Sequence, residues 1–382
     1  MKNNKFNFEQ FLVDGERFLS ELTFLLQERG VSVESLECDH LCYRVETIKE
    51  YNHLKFELGL NGQLVTETMV NGRLISTFKL STPFCLSHRK IYYLELPAPK
   101  VGTIHQTGFE HAEFVIKESF EHFSKVYSHL SFLLSGNRII NPEYSFTIKS
   151  GMACKFHYQA LSRVIELEEA NVTDIIFDFD GTILNSVQNI HAINREVFSI
   201  ICQREVSLQE AQEKYHAHFE ALLSAFNISC PTKIQKTLEV WTEISLKQSY
   251  ILHAGVFELL SILYNKGYHL HLWTARDERS LYKILSELNL EHFFKTISHS
   301  DGLCSKPNPN GLKFDFKSSI KNSTIMIGDS PQDILGAKNI KAIAAAALWD
   351  NEASEHLLIA SGAELFFKHP SDIVHFLNLE NL

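Results

Sequence analysis

The stretch Asp174-Ile175-Ile176-Phe177-Asp178-Phe179-Asp180-Gly181-Thr182 runs apolar and then turns acidic. An apolar run of this length reads as a buried strand, and the acids fall at its carboxyl end. In open α/β sheets that edge is where ligands bind. Two acids beside a glycine also make ordinary turns, so the reading needs support elsewhere in the chain.

The support comes in order along the sequence. A second apolar strand, His269–Trp273, ends in Thr274. A lysine follows in Ser305-Lys306-Pro307-Asn308-Pro309. A third strand, Ile325–Ile327, ends in Gly328-Asp329-Ser330, with Asp333 beyond it. From residue 172 on, strands alternate with helices, which predicts a mostly parallel sheet. Between Val187 and about Leu252 the pattern is helical throughout, with no strand signal. The chemistry suits a phosphate ester: a polyanionic substrate must be shielded before a carboxylate can attack it, and Mg²⁺ takes a few carboxylate oxygens plus phosphate.

Together these four motifs resemble the haloacid dehalogenase (HAD) superfamily across residues 172–382. The resemblance implies an α/β Rossmann-like parallel sheet with an inserted helical cap at about 187–252. It makes Asp178 the nucleophile and Asp180 the general acid and base. It gives Thr274 and Lys306 to the transferring phosphoryl group, and Gly181, Thr182, Ala275 and Arg276 to substrate binding. Mg²⁺ falls to Asp178, the Asp180 carbonyl, Asp329 and Asp333. An acid at position 180 favours phosphoryl transfer, because dehalogenases lack it. The cap position is similar to that of phosphoglycolate phosphatases and β-phosphoglucomutases. Within the cap, His216, His218, Lys233, Lys236 and Trp241 are candidate specificity residues.

The first 168 residues read differently, as α+β. Phe6–Arg29 carries apolar residues at helical spacing and stops at Gly30. Short alternating runs follow: His40–Val45, Leu64–Met69, Arg73–Leu80, Lys90–Leu96, His111–Ile116, Ser145–Lys149 and Ala153–Tyr158. Asn71-Gly72 between two of them is a strong hairpin signal. Ser119–Leu134 is expected to be helical. In Cys38-Asp39-His40-Leu41-Cys42, strand alternation puts both cysteines and His40 on one face.

Five segments carry a second resemblance: Cys38–Leu41, Glu67–Leu80, Tyr93–Pro99, Gly108–Ile116 and Lys155–Gln159. In that order they resemble YecM-type proteins of the vicinal oxygen chelate superfamily. The resemblance implies two paired βαβββ modules holding a divalent metal between their first and last strands. Mapped here, the ligands would be His40, Glu95, His111 and His157. Imidazole and carboxylate suit Zn, Ni, Fe or Mn without choosing among them. Arg73 would meet an anionic substrate.

The formal charge of −10 over 382 residues argues against nucleic-acid binding. No apolar stretch approaches the ~20 residues of a spanning helix, and the N-terminus lacks a signal core. Seven cysteines without a CxxC pair suit a reduced, cytoplasmic protein. The expectation is therefore a domain of residues 1–168 fused to a phosphatase of residues 172–382. The latter would act on a small phosphorylated metabolite. A phosphomutase of the β-phosphoglucomutase type, and a non-catalytic regulatory role for the N-terminal domain, are the alternatives.

Overall fold

The computed structural model describes residues 6–100, 102, 106–135, 139–216, 218–299, 305–313 and 322–379. The chain divides into two units, Met1–Glu169 and Ala170–Leu382.

The N-terminal unit begins with α1 (Phe8–Glu28), capped by Asn7. Two βαβββ modules follow. The first is β1 (Glu37–Arg44), α2 (Ile48–Leu60), β2 (Gly62–Val70), β3 (Arg73–Leu86) and β4 (Arg89–Pro97). The second is β5 (Gly108–Val115), α3 (Phe120–Val126), β6 (Leu133–Ser135), β7 (Glu143–Lys149) and β8 (Met152–His157), and α4 (Leu161–Glu168) closes the unit. The eight strands form one sheet in the order β2-β3-β4-β1-β5-β8-β7-β6. The modules meet where β1 runs antiparallel to β5, and in each module the last strand lies parallel to the first.

Two sequence signals explain local features. Asn71 and Gly72 both take positive φ, 50° and 80°, the geometry that lets a two-residue hairpin follow the strand twist. The capping box between Thr47 and Glu50 starts α2, an element that the alternating pattern of this region does not announce. The expected helix over Ser119–Leu134 is shorter: α3 ends at Val126, and Leu133–Ser135 instead pairs with β7 as an edge strand.

The helices cover one face of this sheet. Phe11 and Phe18 of α1 pack their rings on Phe109, and Tyr51 of α2 hydrogen-bonds with Ser76 of β3. Residues at alternate positions, His40, Cys42, Glu95, His111, Glu113, Lys155 and His157, share the other face by strand alternation and register.

The C-terminal unit is built on six strands, β9 (Asp174–Phe177), β10 (His269–Trp273), β11 (Phe294–Ser298), β12 (Thr324–Gly328), β13 (Ile343–Ala347) and β14 (Leu365–Phe367). They are all parallel, in the order β11-β10-β9-β12-β13-β14. The chain moves outward from β9 through β10 and β11, then returns to β12 on the other side. β9 is thus the point where strand order reverses, where such sheets bind ligands. Its interior positions, Ile175, Ile176 and Phe177, are buried, as a strand covered on both faces requires. The helices are α9 (Val256–Asn265), α10 (Glu278–Glu287), α11 (Pro331–Asn339), α12 (Glu355–Ser361) and α13 (Ser371–Phe376).

Between β9 and α9 lie α5 (Val187–Cys202), α6 (Leu208–Glu213), α7 (Phe219–Ala225) and α8 (Pro231–Ser245). They have a core of their own, including Ile193, Val197, Leu223 and Val240, with Phe198 and Phe226 stacked at 3.8 Å.

Candidate active site and candidate metal centre

In the C-terminal unit, neighbouring strands hold the motif residues at one sheet edge. The amide of Asp178 donates to the Ile327 carbonyl at 2.9 Å, and that of Thr274 to the Ser298 carbonyl at 2.9 Å. The strand ladder thus continues one residue past β9 and β10, fixing both side chains at the carboxyl end.

Carboxylate oxygens of Asp178, Asp329 and Asp333 come within 4.8 Å of one another. Two glycines permit this. A side chain at Gly181, whose φ is +79°, would meet the Asp329 carboxylate, and one at Gly328 would meet that of Asp333. Asp333 is held by the Ser330 amide and hydroxyl, at 3.0 and 2.6 Å, at the start of α11. Lys306, nearly fully buried, donates to both Asp178 and Asp333.

One lysine among three carboxylates, two of them buried and Asp329 partly so, leaves negative charge in excess. Burial pushes the Asp178 carboxyl well above the usual carboxylate range, Asp333 adds to it, and Lys306 opposes both. Asp329 is raised for the same reasons, by burial and then by Asp178 and Asp333. A divalent cation would relieve this repulsion, and an all-oxygen donor set is what Mg²⁺ prefers.

Asp180 lies beside this cluster with both oxygens engaged. Its Oδ1 accepts from Ser186 at 2.7 Å, and Arg276 grips it through Nε, 2.9 Å from Oδ2, and through Nη2. The remaining Arg276 nitrogen, Nη1, donates to Ser245 Oγ at 2.8 Å and to the Tyr250 hydroxyl at 3.3 Å. The guanidinium also lies over the rings of Tyr250 and Trp241, at 4.7 and 5.4 Å. Arg276 is therefore committed to Asp180 and to the cap end, which leaves it little capacity for the direct substrate contact expected of it.

A cavity opens beside Asp178, Asp180, Thr274, Ala275 and Lys306. Gly181 and Thr182 are not among the described residues lining it. Thr182 is fully buried: its hydroxyl donates to Asp329 at 3.2 Å, and its carbonyl accepts from Trp349 Nε1 at 2.8 Å. These two residues shape the acid cluster. Of the cap candidates, His216 and Trp241 line the cavity, whereas His218, Lys233 and Lys236 do not, and both lysines are exposed. Motif spacing gives no sign of Tyr215 and Asn194, which also line it, or of Ser186, Ser245 and Tyr250, which hold Asp180 and Arg276. None of the five sits at a strand end.

In the N-terminal unit, His40, Glu95, His111 and Glu113 bring ligand atoms within 4.8 Å of one another. His40 Nε2 lies 3.4 Å from Glu113 and 3.8 Å from Glu95, and His111 Nε2 lies 3.2 Å from Glu113. Both Nε2 atoms are buried without a hydrogen-bond partner. Asp39, the extra residue of a β-bulge in β1, faces His40 Nδ1 at 3.1 Å, which orients the ring and leaves Nε2 aimed at the carboxylates. Burial lowers the His111 pKa to about 3, with Lys155 adding to the effect, so its imidazole stays neutral and able to coordinate. Burial opposes charge on His40, but Asp39 and Glu113 outweigh it and raise its pKa.

His157, the fourth expected ligand, does not join this group. Its Nε2 lies 3.2 Å from Asp39, and its Nδ1 lies 2.8 Å from Asn141 Nδ2. The parallel registers explain the difference. Cys42 pairs with Glu95 in the first module, and Glu113 pairs with Lys155 in the second. The counterpart of Glu95 is thus Lys155, which lies 2.7 Å from Glu113 and 3.2 Å from Glu143. Glu113 supplies the fourth member of the group, its second carboxylate, from β5 itself. Arg73 shares this face at the far end of β3, close enough to Arg44 for the two charges to interact. No helix among the described residues is long and apolar enough to cross a membrane.

Comparison with known proteins divides the chain at the same place. Residues 7–168 match a family described as YecM protein, and residues 175–347 match a family described as haloacid dehalogenase-like hydrolase. A pyrophosphatase PpaX from Listeria welshimeri is 25% identical over 192 residues, 49% of this chain and 88% of that protein. Protein YecM from Escherichia coli is 31% identical over 103 residues, 27% of this chain and 55% of that protein. A crystal structure described as a predicted phosphatase from Clostridium acetobutylicum is 20% identical, covers 55% of this chain and 100% of its own, and gives a TM-score of 0.48.

Proposed function

We propose that this chain, which joins a YecM domain to a haloacid dehalogenase-like hydrolase domain, hydrolyses a small phosphomonoester through a covalent phosphate on Asp178. The observation that carries this is the largely buried cluster of Asp178, Asp329 and Asp333, with one lysine, at the switch point of a parallel sheet.

Asp178 Oδ attacks phosphorus, and the bond to the ester oxygen breaks. Asp180 gives that oxygen its proton. In the second half, Asp180 takes a proton from a water, which attacks the phosphorus, and the bond to Asp178 breaks to release phosphate. Thr274 and Lys306 offer hydrogen-bond donors to the phosphoryl oxygens, where charge develops. Arg276 and Ser186 hold the Asp180 carboxylate in place. Mg²⁺, when held by Asp178, the Asp180 carbonyl, Asp329 and Asp333, shields the phosphate charge from the attacking carboxylate.

The test is phosphate release from a panel of phosphorylated metabolites, with and without chelator, by the wild type and by Asp178→Asn. Release that survives either the substitution or the chelator overturns the assignment. Product analysis in the presence of a sugar phosphate separates hydrolysis from phosphoryl transfer to a hydroxyl.

For the N-terminal unit we infer a second divalent ion, Zn, Ni, Fe or Mn, held by His40, Glu95, His111 and Glu113. Two buried imidazole nitrogens without partners support it. Elemental analysis of the purified chain should find this metal and lose it in His40→Ala and His111→Ala. Retention in both variants removes the site. The six described cysteines are unpaired, in keeping with a cytoplasmic setting, to which we assign the chain.

A further inference from the structure

The cavity beside Asp178 has two unlike ends. One end holds the acids, Thr274 and Lys306. The other is walled by Ile190, Phe219, Leu222, Leu238 and Trp241. Among the described residues lining the cavity, the only lysine and arginine are Lys306 and Arg276. Both are already paired, Lys306 with Asp178 and Asp333, and Arg276 with Asp180. The lining therefore offers no free lysine or arginine to a second phosphate, and its imidazole, that of His216, is exposed to solvent rather than buried. Burying an unpaired dianion against leucine and phenylalanine is strongly unfavourable.

One polar group does point to a ligand there. Asn194, on α5, is fully buried. Its Oδ1 accepts from Trp241 Nε1 at 3.1 Å, which fixes the amide orientation. Its Nδ2 is left buried without a hydrogen-bond partner. A buried donor of this kind costs free energy unless a ligand or water satisfies it. Tyr215 adds to the wall, and its phenol is kept un-ionised by burial and by the field of Asp329, Asp180 and Asp178. The whole cavity, acid end included, has a volume of about 150 Å³. An apolar cavity of about that size takes benzene, so one six-membered ring is the upper limit for the leaving group.

From the lining and the unpartnered Asn194 amide, we infer that the leaving group is an uncharged ring no larger than benzene carrying a hydrogen-bond acceptor, and that a second phosphate is excluded. This rests on the phosphatase reading and sharpens it. It sets the chain apart from hydrolysis of pyrophosphate, the compound for which one relative is named. It also sets it apart from a mutase, whose transfer to a sugar phosphate needs room for two phosphates.

The probes are ethyl phosphate, benzyl phosphate, the 3- and 4-pyridylmethyl phosphates, and inorganic pyrophosphate, with full-length protein and Mg²⁺. Ethyl and benzyl phosphate both release an alcohol, so their ratio reports the ring and not a phenol's better departure. We expect kcat/KM for benzyl phosphate to exceed that for ethyl phosphate and for pyrophosphate by about a hundredfold. One pyridylmethyl phosphate should gain about a further tenfold. In Asn194→Leu the pyridylmethyl-to-benzyl ratio should fall to about one. If that variant does not fold, the wild-type ladder still decides the ring and the charge, and the Asn194→Ser ratio decides the acceptor. Ethyl phosphate or pyrophosphate turned over as well as benzyl phosphate, with release lost in Asp178→Asn, overturns this inference and leaves the phosphatase standing. A pyridylmethyl advantage that persists in the Asn194 variants removes the acceptor. No release from any compound removes both the inference and the phosphatase reading.

Discussion

Consider a single methyl group added at Gly181. The residue has φ of +79°, and a Cβ placed there would lie 2.7 Å from the Asp329 Cγ. Two costs follow. An L-residue in the left-handed region costs about 1–2 kcal/mol. Relief of the contact needs carbon atoms at ~3.5 Å, so the carboxylate must move by about 0.8 Å. Gly267 separates the two costs. It lies in the same unit at φ +84°, just past α9, and a methyl group there would meet nothing within 4 Å. Gly267→Ala should therefore lower stability by about 1–2 kcal/mol and leave activity unchanged. Gly181→Ala should lose at least as much stability, and its kcat/KM should fall by about a hundredfold, because displacements near 1 Å have that effect on reacting groups. It should also need more Mg²⁺ for half-maximal rate. All three tryptophans, Trp241, Trp273 and Trp349, belong to this unit, so their fluorescence during urea unfolding reports it alone. Equal activity in the two variants, or a wild-type Mg²⁺ requirement in Gly181→Ala, would refute the argument that this glycine exists to admit Asp329.

Other outcomes are equally definite. Arg276→Met leaves Asp180 half-buried beside Ser186 alone; we expect a loss of about 3 kcal/mol in urea unfolding together with a lower kcat, and a stability within ~0.5 kcal/mol of wild type would contradict it. His157→Gln should keep the N-terminal metal stoichiometry, measured by elemental analysis, whereas Glu113→Gln should weaken it about tenfold or more; the reverse order would restore His157 as a ligand. Burial holds the His271 pKa below its ordinary value against the pull of Asp174, so the unfolded chain takes up the proton first. Its contribution is present above the unfolded value of about 6.5 and fades as pH falls through the folded value, so the stability gap between wild type and His271→Gln should narrow from pH 7.5 to 5. A gap that widens towards acid would reverse that sign.

Three of the four phosphatase motifs are legible because they fall where an apolar strand stops, Lys306 standing instead in a loop beyond β11, and the order of the motifs survives in a linear sequence. Asp178, Thr274, Lys306, Asp329 and Asp333 need no tertiary knowledge beyond that order. Arg276 is different. Its place beside Thr274 is visible, but its engagement with Asp180, Ser245 and Tyr250 depends on where α8 ends in space. The N-terminal centre shows the same limit. His40, Glu95 and His111 follow from mapping the YecM resemblance onto the strands, while the choice between His157 and Glu113 depends on register, which sets Lys155 beside Glu113. Glu113 leaves one faint trace: it stands two residues after His111, on the same strand face. Leu133 and Leu134 read as the tail of a helix by composition, yet they pair with β7. Short apolar runs do not distinguish the two states.

The seam where β1 meets β5 makes the two modules depend on each other. One βαβββ module contributes His40 and Glu95, and the other His111 and Glu113. Neither half holds the whole group, so the four side chains converge only when both modules are folded and paired. The two halves are not interchangeable there, because Lys155 occupies in one the register position that Glu95 holds in the other.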